Sequence, residues 1–364
     1  MPLPLIIWAV SDGRAGIENQ VLGLAEAVAR ISPAKIIKKR IHYTELFDRL
    51  PSALKLLPDR MLSPSSDALE APWPDIWIAA GRATIPHSSR MRSRSKGHTF
   101  VVQLQDPRHN LKAFDLVIAP EHDHVEGVNT LSIIGSTNRI ETTKLANAHK
   151  AWRNKLKGLR KPRVCVLIGG RSKAYDLDAA HAQILAEEVR GAILQARGSL
   201  LLTVSRRTPI EARVVIEDVL KDLPGIIYDG QGDNPYFAFL KAADHFLVTE
   251  DSVNMVTEAA STGKPIQVLS LVRRTLASGE KFEDFHETLR AKGITHPFNG
   301  VLAGTPYAPL DETRRAATHL LEMYHKKNSR RSSHASPAIF EDGFAFKRGG
   351  PAPSGPARSG YRRR

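Results

Sequence analysis

Cysteine is almost missing: Cys165 is the only one in 364 residues. One thiol cannot close an internal disulfide, so a reducing compartment is expected. Cys165 falls inside the apolar run Arg163–Ile168, where it reads as inert packing. Aromatic residues are only 6% and no RNA- or DNA-binding motif is present, so nucleic acid is not an expected partner. No apolar run approaches the ~20 residues of a membrane span. Met1–Val10 is short, has no basic flank and runs into a glycine turn, so it reads as a first strand and not as a secretory signal. The expectation is a cytoplasmic protein, soluble or peripheral on the inner face of a membrane. Neither a G-x-G-x-x-G fingerprint nor a Tyr-x-x-x-Lys pair occurs, which argues against a sugar-nucleotide epimerase of the hydride-transfer type.

Basic charge is in excess. The formal net charge is +14, from 52 Lys and Arg against 38 Asp and Glu. Such a chain attracts phosphates, whether on anionic lipid or on a nucleotide-sugar. The length favours two domains. Apolar runs followed by polar turns and amphipathic stretches recur along both halves, the rhythm of alternating strand and helix. A composition reset at Lys155–Pro162 places a hinge near Ala151–Lys161. The expected domains are 1–150 and 151–328, with a basic disordered tail at 329–364, rich in Ser, Pro, Gly and Arg. A terminal helix is expected over Asp311–Lys326.

The polar clusters fall after expected strands. In an open parallel sheet that is where ligands bind. Leu3–Val10 leads into Asp12, Gly13, Arg14 and Gly16, with Asn19 opening a helix. Thr99–Leu104 leads into Gln105, Asp106 and Arg108; Phe114–Ile118 leads into His122, Asp123 and His124. In the second half Val164–Ile168 leads into Gly169, Gly170, Arg171 and Ser172. Ser199–Val204 leads into Ser205, Arg206 and Arg207, whose guanidinium forks suit a diphosphate. The loop Asp229–Tyr236 is expected near a nucleotide base. Phe246–Val248 leads into Thr249, Glu250, Asp251 and Ser252, with Asp251 or Ser252 as N-cap of a helix carrying Met255 and Glu258. That helix N-terminus favours an anion. Glu258, two turns along, suits ribose hydroxyls. His122, Asp123 and His124 offer no third ligand group, so a metal is not expected. Asp176 and Asp178 read as helix capping. Arg90, Arg92, Arg94 and Lys96 read first as a solvated helix face, and second, with the tail, as a patch for an anionic membrane surface.

Several stretches resemble one family. Glu258 followed by Ala-Ala-Ser-Thr-Gly-Lys-Pro is similar to the donor segment of GT-B glycosyltransferases, the Kdo transferases among them. SDGRAGIENQ, QLQDPR, PEHD, IGG, SRRTP and TEDSVNMVTEA together resemble the mitochondrial-fission Elm family over about Leu3–Tyr324. The resemblance implies an α/β GT-B-like fold, two Rossmann-like parallel-sheet domains facing across a cleft. It implies a glycosyltransferase of the metal-independent type, with no cofactor beyond the nucleotide-sugar substrate, moving a sugar to a hydroxyl of a lipid or glycan acceptor in envelope synthesis. The second half would hold the donor; the first would hold the acceptor and supply the base, Asp12 with His122 or Asp123 behind it. Two alternatives stay open. One is a non-catalytic recruitment protein, as in the fission relatives. The other is a nucleotide-sugar epimerase of GT-B shape.

Overall fold

The computed structural model describes residues 3–44, 58–274 and 279–335. The first lobe is built on β1 (Leu5–Ser11), β2 (Ala34–Arg40), β3 (Ile76–Ala80), β4 (Phe100–Leu104), β5 (Leu116–Pro120) and β6 (Thr130–Ile133). They form one all-parallel sheet in the order β2-β1-β3-β4-β5-β6. Helices α1 (Ala15–Ile31) and α2 (Ile85–Arg94) cover opposite faces. Both faces of each central strand are apolar, and alternate residues go to opposite cores. Ile7, Ala9, Ile76 and Ile78 pack with Leu24 and Val28 of α1. Trp8, Val10, Trp77 and Ala79 pack with Met91 of α2. A strand covered on both sides reads as a continuous hydrophobic run, which is why these strands stand out in the sequence.

The second lobe repeats the plan. Its strands are β7 (Arg163–Ile168), β9 (Ser199–Val204), β10 (Gly225–Ile227), β11 (His245–Thr249), β12 (Ile266–Leu269) and β14 (Thr295–Pro297). The order is β10-β9-β7-β11-β12-β14, again all parallel. Numbered within the lobe, this is 3-2-1-4-5-6, the doubly wound order whose strand sequence reverses beside its first strand. Val164, Val166 and Ile168 face α4 (Ala179–Gln195) and α5 (Ile210–Leu220); Cys165 and Leu167 face α6 (Tyr236–Ala242) and α7 (Val253–Ala260). Burial pushes the Cys165 thiol far above its ordinary range, so it stays protonated packing. β8 (Tyr175–Asp176) and β13 (Val272–Arg273) form a small antiparallel ribbon, and α8 (Glu280–Ala291) precedes β14.

Two crossovers join the lobes. Helix α3 (Thr142–Leu156) follows the first sheet, yet Leu145 and Leu156 belong to the second lobe's core and Trp152 meets Phe239 edge-on with ring centroids 6.1 Å apart. By packing, the chain changes lobes ahead of α3, some ten residues before the hinge read at Ala151–Lys161. Helix α9 (Glu312–Ala335) returns, and its Ala316, Ala317, Leu320, Leu321 and Tyr324 enter the first lobe's core.

Several boundaries move. The helix expected to stop at Lys326 continues through Ala335, so residues 329–335 are helical and not tail; no proline interrupts before Pro337, and Arg and Ala sustain a helix. Residues 336–364 lie outside the described residues. So do residues 45–57. Asp178 caps α4 by accepting from the His181 backbone N–H at 2.7 Å, whereas Asp176 pairs with Arg171. The basic run on α2 is partly engaged in structure. Arg94 holds Asp59 at 2.8 Å and stacks over Trp73, and Arg92 donates to the Lys112 carbonyl. Among the described residues no helix is long and apolar enough to cross a membrane.

Candidate functional site

The second lobe's crevice opens where β7 and β11 lie side by side. Gly169 and Gly170 end β7, and residues 249–252 end β11. The Gly169 backbone N–H donates to Thr249 Oγ1 at 2.7 Å; that hydroxyl donates to Asp251 Oδ1 at 2.7 Å. The Gly170 N–H and Arg207 Nη2 both reach Asp251 Oδ2, at 3.0 and 2.7 Å. A Cβ on Gly169 would lie 2.0 Å from Asp251 Oδ1, so only glycine lets the two loops meet. Burial raises the Asp251 pKa, and the Arg207 guanidinium works against that rise. Asp251 therefore locks the crevice and aims Arg207; its own oxygens are spent.

A cavity of about 950 Å³ lies in front of this lock. Ser205, Arg206, Arg207, Ser252, Met255 and Glu258 line it from the second lobe. Arg14, Gly16 and Asn19 line it from the first. Ser252 is the N-cap of α7, its hydroxyl accepting from the Met255 N–H at 3.4 Å. The free N–H groups of that first turn sit at the cavity with Arg206 and Arg207 nearby, a positive end for a diphosphate. Glu258 lies about 9 Å farther along the helix at 1.5 Å per residue. Only 6% exposed, it accepts from the Tyr236 hydroxyl at 2.5 Å. Burial pushes its pKa to about 7, with the Tyr236 hydrogen bond pulling the other way.

A second cavity of about 290 Å³ lies against the carboxyl ends of the first sheet. Gln103, Gln105, Asp106, Arg108, His122 and Asp123 line it. Asn254 lines both cavities and forms the partition between them. Its Oδ1 accepts from Gln20 Nε2 at 3.0 Å and from Ser136 Oγ at 2.9 Å, and Gln105 Nε2 donates in turn to Gln20 Oε1 at 3.0 Å. This chain of amides ties the lobes together. Asn254→Ala removes the junction and should cost about 1–3 kcal/mol, two or three hydrogen bonds at their usual net worth. The checking measurement is hydrogen exchange: protection should fall at residues 16–20 and 135–138 and stay unchanged at β7 and β9.

The sequence-derived residues separate into groups. Ser205, Arg206, Arg207, Ser252, Met255 and Glu258 converge as one surface. Gly169, Gly170, Thr249 and Asp251 build the turn behind it. Arg171 is drawn off by Asp176 at 2.8 Å, and Ser172 Oγ accepts from the Tyr175 N–H in a local turn. Glu250 accepts from the Leu271 N–H at 2.6 Å and faces the small ribbon; burial raises its pKa. Arg14, Gly16 and Asn19, placed with the acceptor by sequence, line the larger cavity instead. Gly13 makes the turn at φ +78° and lines neither cavity. Asp12 lines neither as well: Arg14 holds its carboxylate through Nε at 2.8 Å and Nη2 at 2.7 Å, so Asp12 aims Arg14. Asp123 pairs with Lys281 across the seam at 2.7 Å. His122 packs edge-on to Phe285 at 5.6 Å, and desolvation lowers its pKa. Among the described residues no group of three or more His, Cys, Asp or Glu is placed to hold a metal ion. Sequence reasoning gave no role to Gln20, Gln103, Ser136 and Asn254. For Gln20, Gln103 and Asn254 the only signal is a polar side chain inside a helix or strand, Ser136 lies in a polar loop with no signal, and Gln20, Ser136 and Asn254 matter through partners far away in the chain.

Two parallel doubly wound lobes with crevices facing each other define a GT-B-like protein. The same fold is seen in the UDP-GlcNAc 2-epimerase of Methanocaldococcus jannaschii, at a TM-score of 0.51 and 12% identity, over 88% of this chain and 100% of that one. The sequence carries a narrower assignment. The family model described as Mitochondrial fission ELM1 matches residues 15–324, and the chain belongs to that family. It is 33% identical over 274 residues to the Mitochondrial fission protein ELM1 of Arabidopsis thaliana, covering 68% of this chain and 63% of that protein, so the match spans less than two thirds of the relative. It is 25% identical over 355 residues to an uncharacterized protein of Rickettsia prowazekii, covering 85% of this chain and 96% of that one.

Proposed function

We propose that this chain binds a nucleotide-sugar in the larger cavity and transfers the sugar to a hydroxyl acceptor held on the first lobe. One observation carries the reading. Arg206, Arg207, the N-terminus of α7 and the buried Glu258 meet in one cavity of about 950 Å³, with the cationic end and the carboxyl about two helical turns apart. That spacing suits a diphosphate at one end and ribose hydroxyls at the other. Asn234, Tyr236 and Phe237 stand beside Glu258, where aromatic and amide groups suit a base. Transfer needs a general base and a field for the leaving diphosphate. The arginines and the helix end supply the field. His122, half-buried in the smaller cavity with its pKa lowered by desolvation, replaces Asp12 as the better candidate base.

The test is a thermal-shift screen against UDP-, GDP-, ADP- and CMP-sugars. One of them should stabilise the protein. Arg206→Ala, which removes an exposed guanidinium, should weaken that binding by about tenfold or more, as loss of a charge-assisted phosphate contact does. No stabilisation by any of the four sinks the reading. His122→Gln should keep donor binding and lose release of the nucleoside diphosphate.

A second reading has its own support. Asp12 and Asp123 are each held by a cation, and the named Arabidopsis relative is a fission protein. Under this reading the shell binds a nucleotide and recruits a partner without transfer. Donor binding without turnover over any acceptor, in wild type and His122→Gln alike, would select it.

A further inference from the structure

The two oxygens of the Glu258 carboxyl have different surroundings. Oε2 accepts from the Tyr236 hydroxyl at 2.5 Å. Oε1 has no hydrogen-bond partner among the described residues, and it is not one of the fold's enclosed orphan acceptors: it keeps an opening to the cavity that Glu258 lines. Tyr236 is itself fixed at both ends. Its backbone N–H donates to Asn234 Oδ1 at 2.9 Å where α6 begins, and its ring meets Phe237 edge-on at 5.8 Å. Burial and the neighbouring carboxyl push the phenol pKa well above its ordinary value, so the hydroxyl stays protonated and can donate to the carboxylate. The other titratable or charged groups near the pair are Cys165, which stays protonated, and Arg14, Arg206 and Arg207 at the cavity wall; the carboxyl bonds none of them. A phenylalanine would pack equally well among Tyr228, Phe237 and Met255 at this edge of the core. A buried phenol–carboxyl pair is weak evidence for stability, since apolar side chains of similar volume do as well. The pair therefore points to a use for the oxygen that it leaves free.

We propose that Tyr236 is a positioning residue for the donor: its hydroxyl holds Glu258 Oε2 so that Oε1 is presented to a ribose hydroxyl of a nucleotide in the larger cavity. The inference rests on the nucleotide-sugar reading of that cavity. It adds that the distinction between ribose and deoxyribose depends on a residue 22 positions earlier, on another helix, acting through the carboxyl. With Oε2 held, the carboxyl cannot swing away from the cavity without giving up its one hydrogen bond. An acceptor fixed in advance spends less of the ligand's binding energy on ordering.

Titration calorimetry with UDP, GDP, ADP and CMP and with their 2′- and 3′-deoxy counterparts tests it. At least one ribonucleotide should bind the wild type, and removing a ribose hydroxyl should weaken it by about tenfold or more, as loss of a hydrogen bond to a charged acceptor does. In Tyr236→Phe the ribonucleotide should lose about tenfold while the deoxy form binds as before, so the discrimination collapses. A tyrosine with a merely structural role would weaken both forms alike. A ligand-free arm reads the same contact. The Tyr236 hydrogen bond holds the raised Glu258 pKa down, so its removal lets that pKa climb further. A carboxyl raised in this way loses stability as pH rises, so in urea unfolding Tyr236→Phe should fall further below the wild type at pH 8 than at pH 5. In a Glu258→Gln background its cost should be the same at both. The proposal is overturned if Tyr236→Phe keeps the wild-type discrimination, if the wild type shows none, or if the cost of Tyr236→Phe is equal at pH 5 and pH 8 with Glu258 in place. No binding of any nucleotide by the wild type would sink the nucleotide-sugar reading and this inference with it. Binding with unchanged discrimination in Tyr236→Phe would sink the inference alone.

Discussion

Glu258→Gln should make the protein more stable at pH 8, by about 3 kcal/mol, and should flatten its pH dependence between about 5 and 7. The folded-state pKa of Glu258 is raised from 4.5 to about 7 by burial. A carboxyl raised in this way binds more protons folded than unfolded. Stability is then greatest below the unfolded value, falls as pH climbs from 4.5 towards 7, and levels off above. Glutamine has no charge to bury and keeps an acceptor for the Tyr236 hydroxyl, so the loss at high pH disappears. Urea unfolding at pH 5, 6, 7 and 8 measures it. Wild type and variant should converge at pH 5 and diverge by pH 8. A constant difference across the series would mean that Glu258 does not titrate in this window.

The same titration links stability to the proposed ligand. Ribose hydroxyls donate to a carboxylate and replace the water it lacks. A nucleotide-sugar, whose diphosphate diester has no proton to lose near neutrality, should therefore bind more tightly at pH 8 than at pH 6. Glu258→Gln should bind more weakly with no such slope. A gain in stability paired with a loss of binding is the signature of a buried charge kept for a ligand.

How far the sequence led depends on range. Strands such as Val164–Ile168 and Leu5–Val10 stand out because both faces are buried and the run is unbroken. The N-cap at Ser252 and the position of Glu258 along α7 follow from one turn and one helix, so local chemistry suffices. Asp251 does not follow. Its residue type suggests a cap or a ligand, and only the approach of Gly169 and Arg207, 82 and 44 residues earlier in the chain, makes it a structural lock. Asp12 misleads for the opposite reason. It stands in a glycine turn at a strand end, the usual place for a functional acid, but Arg14 two residues on consumes it. The partition at Asn254 depends on Gln20 and Ser136, both in the other lobe. No periodicity encodes a contact between lobes, so the number of cavities could not be read from the chain.

Asp251→Ala should be the most damaging single change at the crevice, costing about 3–5 kcal/mol, the usual result of breaking a buried pair by removing one partner. Three groups lose their acceptor together: the Thr249 hydroxyl, the Gly170 N–H and Arg207 Nη2. Arg207 is 43% exposed in its side chain and can turn to water, but the other two are buried and cannot. Asp251→Asn should cost less. Its carbonyl still serves the Gly170 N–H, and since burial already raises the Asp251 pKa, a neutral group at this position avoids the desolvation that the carboxylate carries. For a lobe of this size the alanine variant should melt roughly 6–20 °C lower and the asparagine variant should fall between it and the wild type. The order Ala below Asn below wild type, read by calorimetry without ligand, is what a lock requires. A residue kept only to contact the donor would be silent in that measurement and would show itself in donor affinity alone.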